Sequence, residues 1–217
     1  MPLKAPTNKN YLRVSHGRIC KTVDAGTPEA VPRVTKKGET VHELIWESAS
    51  GLLDAIDFRD HPEYGKSWTL TIIDGIDTYG LQVHEDSRYG IELLKKIPNL
   101  FHGKFYTFRP YEFERDGKVR AGIAIEDEQK NKIQSYYQEF KDLGEGKWEV
   151  KDLYGFPKFE GDKADKDDLK IYFVKLAKWL RANAMKHLSP SGNFYREQPP
   201  LAAPEEPKEP ATDDLPF

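Results

Sequence analysis

Apolar and polar residues alternate with a period of two over much of the first 126 positions, and the alternation breaks at Gly, Pro and Asp-Gly pairs. Residues 11–23 read as a first strand, in which Leu12 and Val14 alternate with Arg13 and Ser15 and Gly17 suggests a bulge. Residues 24–38 read as a loop carrying Gly26, Pro28, Pro32 and Gly38. Residues 40–47 form a second strand, with His42, Leu44 and Trp46 on one face, and residues 51–58 continue the sheet after a break. Residues 61–66 read as a turn. A hairpin follows, with arms 68–74 and 76–85 about Asp74-Gly75, a strong turn signal.

The period then changes. Ser87 is a good N-cap, Leu93, Leu94 and Ile97 share a helical face, and Pro98 stops the helix predicted over 87–97. Residues 103–115 and 118–126 return to strand spacing around Asp116-Gly117, with Val119, Ala121, Ile123 and Ile125 marking an inward face. Strands, a hairpin, a short helix and a second hairpin predict a mostly β chain: an OB-fold-like antiparallel barrel with one inserted helix plugging an open end. A β-sandwich offers that helix no natural place, and the absence of regular crossovers disfavours a parallel α/β fold. Residues 132–140 and 147–153 show no clear period, and 153–159 read as an aromatic loop. Over 165–188, Leu169, Tyr172, Phe173, Leu176, Leu180 and Ala184 recur at helical spacing, predicting a long helix that packs on the barrel or on a second copy in a homodimer. The chain thus divides into a barrel (1–160), a C-terminal amphipathic helix (161–190) and a tail (191–217).

Composition sharpens the two ends of this picture. Of 217 residues, 32% are charged and 12% aromatic, a generous supply of flat rings on a heavily solvated surface. The net charge is −3, but positions 198–217 hold five acids and one lysine. The remainder therefore carries 32 basic and 31 acidic residues, so any polyanion site is a local patch. Six prolines in the same stretch leave too little apolar surface to offset the entropy of ordering, and a disordered acidic tail is expected. One cysteine, Cys20, excludes an internal disulfide. The lack of an N-terminal apolar segment or a membrane-length apolar run points to a cytoplasmic protein.

The densest run of rings and cations is 104–113. Strand alternation puts Phe105, Thr107, Arg109, Tyr111 and Phe113 on one face, and Lys104, Tyr106 and Phe108 on the other. An unpaired buried guanidinium is costly, so the face bearing Arg109 is the candidate platform, on which unpaired bases stack while cations neutralise phosphates. Each stacked base contributes about 1–3 kcal/mol whatever its identity. Arg115, Lys118 and Arg120 surround the same hairpin, and Arg59 and Lys66 lie on the loop before the third strand. A loop with Arg33, Lys36 and Lys37 is positioned to act as a clamp. Against these stands the ordinary reading, in which single rings fill cores and scattered cations are solvated surface. Asp54, Asp57, Asp60 and His61 would suit a metal-dependent nuclease, but they fall in a polar turn without a second ligand cluster. The chain has no P-loop, no GxSxG element and no paired-cysteine zinc pattern, which disfavours an enzyme; no cofactor or metal is implied.

The final five residues, Asp213-Asp214-Leu215-Pro216-Phe217, pair two acids with a terminal ring and carboxylate, a combination that an apolar slot flanked by Lys or Arg would hold. They resemble the acidic tip, Asp-Asp-(Ile/Leu)-Pro-Phe, of bacterial and bacteriophage single-stranded-DNA-binding proteins. The match covers only 213–217, on a tail of fitting composition, and identifies no base-contacting residue. It implies a protein, viral in this case, that coats single-stranded DNA during replication, recombination and repair, and recruits polymerase, helicase/primase or nuclease through its tip. The competing class is a β-barrel adaptor whose tail is a ligand for other proteins but which binds no nucleic acid.

Overall fold

The computed structural model of the protein describes residues 10–35, 37–63, 65–137, 140–142, 148–150, 157–161 and 165–188. Nine strands form one sheet: β1 (Asn10–Ser15), β2 (Arg18–Val23), β3 (Val31–Val34), β4 (Thr40–Trp46), β5 (Ala49–His61), β6 (Gly65–Asp74), β7 (Asp77–His84), β8 (Phe105–Arg115) and β9 (Lys118–Asp127). Their spatial order is β3-β4-β2-β1-β7-β6-β5-β8-β9. Every neighbouring pair is antiparallel except β1 with β7, where Leu12 sits beside Leu81 in parallel register. The chain is mostly β, and the sheet curls into an open half-barrel. Short strands β10 (Phe140–Asp142) and β11 (Trp148–Val150) pair separately.

The core fills the curl. Trp68, Leu70 and Ile72 of β6, Leu53 and Ile56 of β5, Leu81 of β7 and Phe108 of β8 are fully buried. Each such side chain stabilises the fold by roughly 1.5–3 kcal/mol relative to exposure. Helix α1 (Arg88–Lys96) follows β7, and the Ser87 hydroxyl accepts the Gly90 amide as its N-cap. Its Leu93 and Leu94 are buried in the same cluster, and Ile97 and Pro98 turn into a short 3₁₀ segment. Helix α2 (Lys166–Ala184) buries Leu176, Ala177, Leu180 and Ala184 and packs against α1. The long helix therefore covers the body of its own chain. Among the described residues, no helix is long and apolar enough to cross a membrane.

Several sequence expectations need correction. Residues 11–23 are two strands, because His16 and Gly17 both take positive φ and reverse the chain; Gly17 is a turn, not a bulge. A Cβ there would lie 2.6 Å from the Glu112 amide nitrogen, so Gly17 is also the point where the β1–β2 turn touches β8. The presumed loop 24–38 contains β3, which pairs with β4 through Arg33 opposite Val41 despite Pro32 in the strand. His42, Leu44 and Trp46 share one face of β4 as read, but the buried position of the strand is Glu43, on the other face. The turn read at 61–66 is present but tighter, at residues 62 and 63, with β5 running to His61 and β6 starting at Gly65. Val119, expected inside, is exposed, while Ile123 and Ile125 are buried as expected. The tail and its tip, Asp213 to Phe217, lie outside the described residues.

Candidate nucleic-acid interface

The β8–β9 hairpin is the centre of the candidate site. In β8, Tyr106, Phe108 and Pro110 are buried, whereas Phe105, Thr107, Arg109, Tyr111 and Phe113 point the other way and are exposed or half-buried. Arg109 is thus on the outward face, where its guanidinium stays solvated. Register does the rest of the sorting. Arg109 lies opposite Ala124, Tyr111 opposite Gly122, Phe113 opposite Arg120 and Arg115 opposite Lys118. Residues directly opposite in an antiparallel pair share a face. The outward face therefore collects Arg109, Arg115, Lys118 and Arg120, with Glu126 opposite Thr107 as its acid, while Glu112 and Glu114 fall on the reverse face. Near neutrality of the whole body conceals a hairpin whose charges are segregated by side.

The rings on this face are arranged for access. Phe113 is 51% exposed and Phe105 36%. The Tyr111 and Phe113 rings stand 5.9 Å apart at an interplanar angle of 31°. Tyr111 leans over Gly122, where an added Cβ would come within 2.5 Å of its hydroxyl oxygen, so the missing side chain makes the seat for the ring. Burial, with Glu92 nearby, raises the Tyr111 hydroxyl above its usual pKa, keeping it a neutral donor. Beyond Tyr111, save for half-buried Ala121, both arms of the hairpin are solvent-exposed to the Asp116-Gly117 turn, so the distal part projects from the half-barrel. Toward its root, the Ser50 and Thr107 hydroxyls share a hydrogen bond of 2.9 Å, joining the platform to the start of β5.

Other predicted residues lie elsewhere. Arg59 and Lys66 are in strands, not a loop, with Arg59 opposite Ser67 and Asp60 opposite Lys66. Leu52, the last β5 residue paired to β8, is seven residues from Arg59, or about 23 Å along the strand. Those two cations border instead the end of the sheet where α2 docks, through Arg181 over the Phe58 ring at 5.2 Å. Arg33 is held by Glu43, which also pairs with Arg13, and so does not belong to a free clamp. Burial pushes the Glu43 carboxyl up, but hydrogen bonds and charge from Arg33 and Arg13 prevail and hold it below its usual range. Lys37 sits in the β3–β4 turn, and Lys36 lies outside the described residues. Asp54, Asp57, Asp60 and His61 are strung along β5 rather than gathered in a turn, with Asp54 3.5 Å from His102. Among the described residues, no group of three or more His, Cys, Asp or Glu is placed to hold a metal ion.

Two features gave no sequence signal. One is a buried network at the far end, where Glu85 accepts from Trp68 Nε1 (3.2 Å) and Arg181 Nη1 (3.0 Å). The other is a cleft of about 220 Å³ between β1, the β4–β5 connection and the β6–β7 turn, lined in part by Trp46, Ser50, Asp74 and Tyr79. Both join residues far apart in the chain, which spacing does not reveal. Comparison with known proteins finds no matching family model, no matching curated protein and no matching solved structure.

Proposed function

We propose that this chain is a single-stranded-DNA-binding protein of the bacterial and bacteriophage kind. It coats and protects unwound strands during replication, recombination and repair, and recruits replication partners through Asp213-Asp214-Leu215-Pro216-Phe217. The observation that carries this reading is the sorting of the β8–β9 hairpin: rings at Phe105, Tyr111 and Phe113 share a face with Arg109 and Arg120, and Glu112 and Glu114 are turned away. Alternating flat rings and cations suit a flexible polyanion with stackable bases, and they read no sequence. Connectivity supports the finer OB-type reading. A meander β5–β6–β7 is followed by α1 and then by β8, which returns to pair with β5, while β1 to β4 extend the sheet past β7. Phosphates track Arg109, Arg115, Lys118 and Arg120; stacking on Tyr111 and Phe113 supplies the apolar part. The chain needs no cofactor for this.

The test is retention of a labelled oligo-dT by the full chain in dilute buffer. Saturable binding, weakened by salt and by Phe113→Ala, supports the reading. Absence of binding, with the tip still capturing a protein partner, would leave the adaptor instead.

A further inference from the structure

The cleft beside the platform has its own chemistry. Buried Leu12 and Ile19 form its floor, and the Trp46 indole and Tyr79 ring border it. Its polar lining residues are Ser48, Ser50 and Asp74, with Asp77 across the β6–β7 turn, and the Ser50 hydroxyl is engaged with Thr107. Among the described residues no cation lines it, and two carboxylates at one turn repel phosphate. At about 220 Å³ the cleft is smaller than the roughly 300–1,000 Å³ of drug-sized ligand pockets, so it suits one flat heterocycle rather than a whole nucleotide. It also adjoins the platform, because Ser50, a lining residue, hydrogen-bonds Thr107 between Phe105 and Arg109.

We propose that this cleft is a subsite for a single nucleobase turned out of the strand, and that it favours bases with an exocyclic amino group. The inference rests on the single-stranded-DNA reading and adds to it a base preference at one position. The base enters between Trp46 and Tyr79, its sugar-phosphate staying outside near Thr107 and Arg109. Cytosine N4, adenine N6 and guanine N2 each present N–H donors, which the Asp74 carboxylate and the Ser48 hydroxyl accept. Thymine carries no amino group; its single imide N3–H is flanked by the O2 and O4 carbonyls, which repel a carboxylate. The binding site is otherwise indifferent to sequence, so one position supplies a bias within a general coat.

The experiment compares an oligo-dT with the same oligomer carrying one central dC, and with one carrying an abasic residue there, using the full chain. The dC oligomer is expected to bind at least about five-fold more tightly than oligo-dT, the low end of one good base contact. Asp74→Ala removes that difference, Trp46→Ala weakens dC binding, and Ile76→Ser at the fully exposed turn tip changes neither. Circular dichroism checks that Trp46→Ala is folded; should it not be, Asp74→Ala alone decides. Equal binding of dC, dT and abasic oligomers by the wild type overturns the subsite while leaving the general reading intact. Failure to bind any oligomer overturns both.

Discussion

The Tyr89 hydroxyl donates to the Glu112 carboxylate at 2.6 Å while accepting the Gly17 amide at 2.7 Å. One phenol from α1 thereby ties the β1–β2 turn to β8, and so holds the curl of the half-barrel next to the root of the projecting hairpin. The approach works only because Gly17 has no side chain to collide with the β8 backbone.

Tyr89→Phe keeps the ring and removes the link, leaving a buried amide without its acceptor. The expected loss is about 1–3 kcal/mol of unfolding free energy, measured as a lower urea midpoint at unchanged slope. Burial first, and the Glu112 carboxylate second, push the Tyr89 hydroxyl up to about 12. A raised folded-state pKa means the stabilisation is complete below the unfolded value near 10 and is lost as pH climbs through about 12. The difference between wild type and Tyr89→Phe should therefore shrink over that alkaline window. A constant difference would show that the hydroxyl's proton is not what the fold uses.

Arg181→Met removes the charge partner of Glu85, which is only 3% exposed, and leaves it the Trp68 indole as donor. Breaking a buried pair on one side costs about 3–5 kcal/mol. Burial already pushes the Glu85 carboxyl up, with Arg181 opposing the rise. Its neutral form is favoured by the fold, so the associated stability is present at acidic pH and falls as pH rises through the folded-state value. Removing Arg181 raises that value further. The variant should consequently recover part of its deficit on moving from pH 7 to pH 5, by urea melts at both. No recovery would place the loss in packing against Phe58 instead.

Phe113→Ala removes an exposed ring and should leave the melting temperature almost unchanged. Oligo-dT affinity should drop by the equivalent of about 1–3 kcal/mol, one stacked base. A similar substitution at Phe105, nearer the root, tests how far the stacking face extends.

Ending the chain at Gln198 removes five acids and one lysine along with the tip. If the tail competes with DNA for the basic face, the shortened protein binds oligo-dT more tightly in dilute buffer, and the gain fades with added salt. It should also lose capture of replication partners. Unchanged DNA affinity together with unchanged partner capture would deny the tail either role.

The sequence revealed more of the fold than of its closure. The Asp116-Gly117 turn, the Ser87 cap and the alternation of 105–113 are local signals, and each is found where expected because neighbours in the chain decide it. Strand β3 was hidden by Pro32 and flanking glycines, although an edge strand tolerates a proline. Glu43 was unreadable as a buried residue, since only Arg13 and Arg33 from other strands make its burial tolerable. The outward direction of Arg109 followed from the cost of burying a charge. Arg59 and Lys66 could not be separated from the platform without knowing that β5 extends well past its pairing with β8.

The most direct test of the central claim is the salt dependence of oligo-dT affinity for wild type and for Arg109→Gln/Arg120→Gln. On a log–log plot the slope for a single strand is about −0.7 per phosphate contact, so the double variant should be shallower by about 1.4. Weaker binding at the same slope, or wild-type binding indifferent to salt, would contradict a polyanion site on the outward face of β8 and β9.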